Sequence, residues 1–175
     1  MNLKSIFTDR LIIIPVTFEI TQSLLDGSSK EIEKLGIKTD KEWPTKDTKD
    51  ILPIINKSFK NNRVPSGFEF WMIVKKENMH VVGDIGFHGK PNEKCEVEVG
   101  FGLVEHERGN GLGFEALKAI MNWTNSQDSV EVIKADCLIN NKPSARILEK
   151  VGMKEINRDK NLIYWELTKA GCQQI

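Results

Sequence analysis

Hydrophobic positions along this chain change their spacing several times, and each change marks a predicted element. Alternating or continuous apolar runs are typical of strands, whereas apolar residues three and four positions apart are typical of amphipathic helices. The predicted strands are Asp9–Val16, Phe68–Lys76, Val81–His88, Cys95–Leu103 and Val130–Leu138, followed by a hairpin formed by Ile156 and Leu162–Leu167. The predicted helices are Thr21–Leu25, Ser29–Leu35, Thr48–Phe59, Leu112–Ser126 and Pro143–Val151.

This order of elements predicts an α+β fold with a mixed, mostly antiparallel central sheet flanked by helices. One β-α-β connection is expected, because the strand Cys95–Leu103 is followed by a helix and then by Val130–Leu138. A chain of 175 residues with 39% hydrophobic content is long enough to bury one core. We therefore expect a single domain spanning residues 1–175.

The overall charge does not indicate a partner with a strong negative charge, although it leaves a local basic patch open. The 25 basic and 25 acidic side chains cancel, which favours neither nucleic acid nor a membrane surface. No apolar run approaches the roughly 18 residues of a membrane span, and the start lacks a leader pattern, so a cytoplasmic location is expected. Three cysteines without metal or redox spacing predict reduced thiols, and the histidines also lack paired metal-ligand spacing, so no metal site is expected. The cysteines are Cys95, Cys137 and Cys172.

The glycine-rich segment Arg108-Gly109-Asn110-Gly111-Leu112-Gly113 lies between a predicted strand and a predicted helix. Glycine lets the backbone turn with positive φ and approach a ligand closely. The first N–H groups of a helix have no partner within the helix, and they favour an anion together with the helix dipole. This segment is therefore the candidate phosphate site.

Two common phosphate loops fit the segment poorly. A nucleoside triphosphate loop needs Gly-Lys-Ser/Thr, but Phe114-Glu115 follows Gly113. A dinucleotide fingerprint opens a βαβ unit and uses an acidic residue about 20 positions later. Glu131 lies near that position, yet the preceding strands are predicted to be antiparallel, which disfavours dinucleotide binding.

The pattern Arg108-x-x-Gly111-x-Gly113 resembles the acyl-CoA pyrophosphate loop of the GNAT N-acetyltransferase superfamily. The segment Asn141–Met153 is similar to the Asn-x-x-Ser…Leu-Glu-Lys-x-Gly-Phe segment of its ribosomal-protein-alanine N-acetyltransferase (RimJ/RimL-like) branch. Three further segments stand where that branch has comparable ones: Asp9–Leu11, Val82–Gly86 and Glu98–Phe101. The resemblance covers nearly the whole chain and is weakest from Phe18 to Asn62.

The resemblance implies a V-shaped splay between the two parallel strands, with acetyl-CoA entering it as the acetyl donor. Strand backbone would contact pantetheine, loop N–H groups would hold the pyrophosphate, and Asn141 would be a polar contact. Arg108 either contacts a phosphate or pairs with Glu105 or Glu107, and both alternatives stay open. The implied cofactor-binding residues are Phe101, Gly102, Leu103, Arg108, Gly109, Asn110, Gly111, Leu112, Gly113, Asn141 and Ser144.

Acetyl transfer to an amine needs a neutral amine and help for the departing thiolate. An α-amine has an ordinary pKa of about 7.7–8.0, so it is substantially neutral near pH 7.5 and needs no strong base. Glu98 is the candidate proton acceptor, through water, although alternation also allows it to lie on a solvated strand face with Glu96.

The candidate for the thiolate is Ser144. Many relatives carry a tyrosine seven positions beyond the asparagine of the second segment, and Leu148 stands there in this chain. Tyr164, the only tyrosine, is expected in the core or at its rim. Ser144 follows a proline at a predicted helix start, so a helix-capping role is the alternative for it.

The resemblance thus implies direct acetyl transfer from acetyl-CoA to a primary amine, either a protein N-terminal α-amine or a small-molecule amine, without a metal or a covalent enzyme intermediate. The alternatives are a non-catalytic acyl-CoA-binding sensor and an acyltransferase that uses another acyl-CoA. Either a monomer or a homodimer is compatible. The region from Phe18 to Asn62 is expected to shape the acceptor site, and its loop tryptophan, Trp43, either lines a ligand site or anchors the loop.

Overall fold

The computed structural model describes residues 3–60 and 62–169, which form nine strands, five α-helices and a 3₁₀ turn at Glu105–Glu107. The strands are β1 (Ile6–Phe7), β2 (Leu11–Pro15), β3 (Lys38–Thr39), β4 (Phe70–Lys75), β5 (His80–Phe87), β6 (Glu96–Leu103), β7 (Val132–Leu138), β8 (Lys154–Arg158) and β9 (Leu162–Thr168). The helices are α1 (Phe18–Leu25), α2 (Lys30–Glu33), α3 (Lys46–Ser58), α4 (Leu112–Asn125) and α5 (Lys142–Lys150).

All nine strands belong to one mixed sheet, which confirms the predicted α+β class. Its order is β1-β2-β4-β5-β6-β7-β9-β8, and β3 pairs with β5 outside this path. Neighbours along the path are antiparallel except β6 and β7, which α4 connects in parallel. The short β3–β5 pairing is also parallel.

The burial of side chains in the strands and helices follows the hydrophobic patterns from which these elements were predicted. Five consecutive residues of β4, Phe70–Val74, are buried, as expected for a central strand covered on both faces. In β9, Ile163, Trp165 and Leu167 are buried while their neighbours are more exposed, which gives the alternation of a strand covered on one face. Helix α4 buries its apolar stripe against the sheet, and Leu117 and Ile120 on it are fully buried.

The expected splay lies between β6 and β7. Their parallel pairing covers only Glu96–Val132, Val97–Ile133 and Glu98–Lys134. Beyond Glu98, β6 continues to Leu103 paired with β5 alone, and β7 continues to Leu138 paired with β9. The two strands therefore part at Glu98, and a V-shaped opening forms in the middle of the sheet.

Some boundaries differ from the prediction. Strands β1 and β3 have two residues each, too few for a hydrophobic period. Helix α3 begins at Lys46 rather than Thr48, because Thr45 is the N-cap and its hydroxyl accepts the Thr48 N–H at 3.2 Å. Among the cysteines, Cys137 is buried and Cys95 half-buried, while Cys172 lies outside the described residues. Among the described helices, none has the length and apolarity required to span a membrane.

Candidate functional site

The glycine segment forms an open cradle at the start of α4. Gly109 and Gly111 have φ values of +80° and +79°, and Gly111 is the N-cap of the 14-residue helix. Within residues 3–60 and 62–169, the backbone N–H groups from Gly109 to Gly113 donate to no other backbone or side-chain group. Five free donors at a helix N-terminus suit a multiply charged anion such as a pyrophosphate.

Arg10, from the loop before β2, holds this cradle in place. One Nη donates to the Asn110 carbonyl at 2.8 Å, and Nε donates to Glu115 Oε2 at 2.7 Å. Glu115 also accepts the Thr8 hydroxyl at 2.6 Å and the Arg10 backbone N–H at 2.9 Å. Burial alone would raise the pKa of Glu115, but these bonds outweigh it and lower the pKa.

Arg108 does not form the ion pair that was one of its two expected arrangements, and its contact with a phosphate stays a prediction. Its Nε donates to the Leu103 carbonyl at 3.0 Å, whereas Glu107 accepts from Lys75 Nζ at 3.1 Å. The alternative pairing of Arg108 with Glu105 or Glu107 is therefore wrong. The extended backbone at Arg108, with ψ of 159°, directs the chain away from the 3₁₀ turn, and the guanidinium reaches the end of β6.

The pairing of β6 determines which of its backbone groups face the splay. The Val104 N–H donates to Val82, and the Glu98 carbonyl accepts from His88, so even-numbered residues face β5. Backbone groups alternate in direction along a strand. Those of Phe101 and Leu103 thus point into the splay, as the resemblance requires, while Gly102 faces β5. The Leu103 carbonyl is already bound by Arg108.

Glu98 and Ser144 line the same cavity of about 160 Å³ at the splay, although they lie 46 positions apart. His88, Gly100, Asp136 and Asn141 also contribute to its wall. The structure therefore brings both predicted catalytic residues to the point where β6 and β7 separate.

The Glu98 carboxyl has an unusual environment. Its side chain is 41% exposed, and Oε1 lies 3.2 Å from Nδ1 of His88. Burial and the neighbouring Asp136 carboxyl raise the pKa of Glu98, while His88 opposes them. Glu96 differs, since it pairs with Lys134 Nζ at 2.9 Å and bonds to Asn92. The two glutamates therefore have different surroundings on one strand face.

Ser144 is not the cap of α5. Asn141 is the N-cap, and its Oδ1 accepts the Ser144 N–H at 3.2 Å. Within the part of the chain that the structure describes, the Ser144 hydroxyl has no hydrogen-bond partner. Leu148 is buried in the core, and Tyr164 lies on β9, where its hydroxyl donates to Asp159 at 2.8 Å. Ser144 therefore has a hydroxyl free to act in the cavity.

On the other side of the splay, Trp43 anchors its loop. It is 3% exposed, and its Nε1 donates to Asp84 Oδ2 at 2.7 Å. The Thr48 hydroxyl donates to the same oxygen at 2.6 Å. Burial raises the pKa of Asp84, and these two bonds oppose the shift. The anchoring interpretation of Trp43 is thus confirmed.

Nearby, His106 contacts two acidic residues that lie far from it in the sequence, and the sequence analysis did not predict this cluster. Its Nε2 lies 3.1 Å from Asp40 Oδ2, and its Nδ1 lies 3.2 Å from Glu42 Oε2. Each ring nitrogen of His106 thus has a carboxylate partner, and these contacts explain why the three side chains lie together. The cluster ties the turn before the glycine cradle to the loop that holds Trp43.

An anion cradle beside a splayed parallel strand pair is the arrangement that the resemblance to the GNAT superfamily implies. Comparison with known proteins agrees, since residues 10–154 match the acetyltransferase (GNAT) domain. The chain belongs to the GNAT family and is an acetyltransferase.

Known relatives support this assignment. The chain is 38% identical over 133 residues to the uncharacterized N-acetyltransferase YjdG of Bacillus subtilis, covering 74% of this chain and 79% of that protein. The ribosomal-protein-S5-alanine acetyltransferase of Vibrio fischeri has the same fold, with a TM-score of 0.68, 15% identity, and coverage of 95% and 97%. RimL, a ribosomal L7/L12 α-N-protein acetyltransferase solved with coenzyme A, has a TM-score of 0.63, 14% identity, and coverage of 94% and 98%.

Proposed function

We propose that the protein transfers an acetyl group from acetyl-CoA directly to a primary amine, on a protein N-terminus or on a small molecule. Glu98 accepts the proton of the amine, and Ser144 assists the departing thiolate. The observation that carries the proposal is the shared cavity of Glu98 and Ser144 at the splay. The cytoplasmic location and the monomeric or homodimeric state stay predictions.

The residues present fit the cofactor. The free N–H groups from Gly109 to Gly113 provide donors for a pyrophosphate, and the backbone of Phe101 offers pairing groups to an amide-bearing arm. Leu103 offers its N–H only, because Arg108 occupies its carbonyl. Asn141 adds a polar group at the cavity wall. Bound acetyl-CoA supplies a thioester carbonyl for attack by the amine.

Glu98 is suited to hold a proton during the reaction. Burial and Asp136 raise the pKa of this carboxyl, which brings its proton affinity closer to that of an amine. An α-amine, with an ordinary pKa of about 7.7–8.0, is already partly neutral at pH 7.5. When the amine arrives charged, Glu98 removes a proton before the attack. When it arrives neutral, Glu98 accepts the proton that the nitrogen loses as the amide forms.

The test is thiol release from acetyl-CoA with a panel of peptide and small-molecule amines. Glu98→Gln is expected to lower turnover at neutral pH, and the loss should shrink at high pH as the amine deprotonates by itself. Calorimetry should show unchanged CoA affinity. Glu96→Gln is the matched control, because it alters a glutamate on the same strand face that pairs with Lys134.

Two results would contradict the proposal. A pH–rate profile of Glu98→Gln identical to that of the parent would mean that Glu98 is a surface carboxylate only. CoA binding without amine-dependent thiol release, across the panel, would favour the non-catalytic sensor. If a longer acyl-CoA reacted faster than acetyl-CoA, the proposed donor would be that longer acyl-CoA, and the proposed mechanism would be unchanged.

A further inference from the structure

A second cavity lies on the other side of Glu98. It has a volume of about 290 Å³ and is lined by Glu98, Lys134, Ala135, Ile156, Asn157, Tyr164 and Trp165. The surface that lines it is mostly apolar. Glu98 thus lines two cavities, one beside Ser144 and one next to β7, β8 and β9.

A β-bulge forms this second cavity. The register between β8 and β9 shifts between Glu155 and Asn157, so Ile156 is left without a partner opposite it. A bulge bends its strand and redirects a side chain. Ile156 is 54% exposed, although it is a large apolar residue, and it lies on the edge strand β8, all of whose residues are exposed.

Two carboxyl groups, those of Glu98 and Asp136, lie in the neighbouring splay cavity. Asp136 lies two residues beyond Lys134, the last partner of Glu98 in the parallel pairing, and it contributes to the same splay cavity as Glu98. Across the sheet, Asp136 is opposite Tyr164 on β9. The charged groups around Glu98 are His88 from the end of β5, Asp136 from β7, and Lys134, whose ammonium pairs with Glu96 at 2.9 Å. The mostly apolar cavity thus adjoins the splay cavity that holds the Glu98 and Asp136 carboxyls, and the two cavities together complement a ligand with an apolar body and a cationic end.

We infer that this cavity, which we call the acceptor pocket, receives the apolar group of an acceptor whose primary ammonium lies between Glu98 and Asp136. The acceptor class is then a primary amine next to an apolar group the size of one side chain, either as a free amine or as the first residue of a peptide. Sites for drug-sized ligands occupy about 300–1,000 Å³, so this pocket is at the small end. A bulky polycation with a polar surface would not fit it. This inference rests on the proposed function.

The proton count is consistent with this arrangement. The ammonium passes one proton to the Glu98 carboxylate, while the Asp136 carboxyl accepts a hydrogen bond from a second N–H. The freed nitrogen lone pair forms the C–N bond as the C–S bond breaks. As the amide forms, the nitrogen loses its second proton to water, and the thiolate takes a proton from the Ser144 hydroxyl, which regains one from that water. Glu98 returns its proton to the solvent, so the products are the neutral amide, the CoA thiol and one released proton.

The first experiment compares matched amines in the thiol-release assay: 2-phenylethylamine against ethanolamine, and Phe-Ala-Ala against Ser-Ala-Ala. An apolar group in a fitting pocket is worth about 10–200-fold in kcat/KM, so we expect at least a tenfold preference for the apolar member of the favoured pair. The pair with the higher kcat/KM distinguishes a free amine from a peptide N-terminus.

Two variants test the pocket itself. Ile156→Trp fills the cavity and should lower kcat/KM about tenfold for the apolar members, with less than a twofold change for the polar ones. Ile54→Trp on α3 is the control, since Ile54 is 71% exposed and contributes nothing to this cavity. Asp136→Asn should raise KM about tenfold for every amine without changing CoA affinity, whereas Asp136→Glu should restore much of the loss. Glu166→Gln, on β9, is the charge control.

Binding is measured separately from turnover by titrating 2-phenylethylamine into the CoA-saturated protein. Saturable binding that Ile156→Trp abolishes would support the pocket even if no thiol is released, in which case the proposed function fails alone. Thiol release with no preference in either pair and no effect of Ile156→Trp would overturn the pocket and leave the proposed function standing. The absence of both turnover and binding would overturn both.

Discussion

Replacement of Glu115 by alanine tests whether the N-terminal segment shapes the cofactor loop. This carboxylate accepts hydrogen bonds from the Thr8 hydroxyl and from the backbone and side chain of Arg10. A hydrogen bond contributes about 0.5–1.5 kcal/mol net, and one to a charged group about 1.5–3 kcal/mol. The Arg10 side chain is 50% exposed, so its ion pair adds only about 0–1 kcal/mol. We expect the free energy of unfolding to be lower in Glu115→Ala than in the parent by about 2–4 kcal/mol at pH 7.

This loss should depend on pH. The pKa of Glu115 is lower in the folded protein than in the unfolded chain, where it is about 4.3. Folding therefore favours the ionised carboxyl, and its contribution is fully present above that unfolded value. It should decrease as the pH falls below about 4 and through the folded pKa. Unfolding in urea, followed by tryptophan fluorescence at pH 7 and pH 3.5, measures both differences.

The same variant should weaken CoA binding. Without Glu115, Arg10 no longer has the partner that orients it toward the Asn110 carbonyl. We expect CoA affinity to fall several-fold by calorimetry in the folded protein. Glu149→Ala is the control, because Glu149 is an exposed glutamate on α5. A stability loss that is equal at pH 7 and pH 3.5, together with parental CoA affinity, would refute the reasoning.

Three further predictions concern single positions. Gly111→Val should weaken CoA binding at least tenfold by calorimetry. It should also lower the free energy of unfolding in urea by about 1–2 kcal/mol, because valine disfavours the φ of +79°. Unchanged CoA affinity would contradict the assignment of the glycine segment as the phosphate site. Ser144→Ala should lower turnover per folded enzyme about tenfold or less, and more than Tyr164→Phe does, as thiol-release kinetics would show. Asp84→Ala should destabilise the fold by about 2–4 kcal/mol in urea, because two donors lose their acceptor; a loss below 0.5 kcal/mol would contradict this.

The sequence predicted the parts of the fold that depend on a local pattern. Helix α4 and strand β6 have clear apolar periods, and the glycine cradle has a motif of six consecutive residues. Strands β1 and β3 could not be predicted, because two residues are too short to show a period. Their existence depends on pairing partners that lie far away in the chain.

The candidate site was predictable only where it resembles a known motif. Glu98 and Ser144 were found in this way, and the structure places them in one cavity. Arg10 lies in a segment that resembles the family, but its contact with the glycine segment about 100 residues away could not be predicted from that segment. Asp136 carried no local signal, because its place depends on contacts across the splay. The direction of Arg108 also needed the structure, since its partner is a backbone carbonyl and not a charged side chain.

The open edge of β6 has a consequence for the protein without a ligand. A strand that ends its pairing inside a sheet presents the same unpaired N–H and C=O groups as an exposed edge strand, which is a template for association with other extended chains. Here the exposed stretch is short, from Val99 to Leu103, and Arg108 blocks its last carbonyl. Helix α5 begins beside it, and its first turn narrows the opening. The features that shape the cavity also protect the chain from aggregating through the open edge of β6.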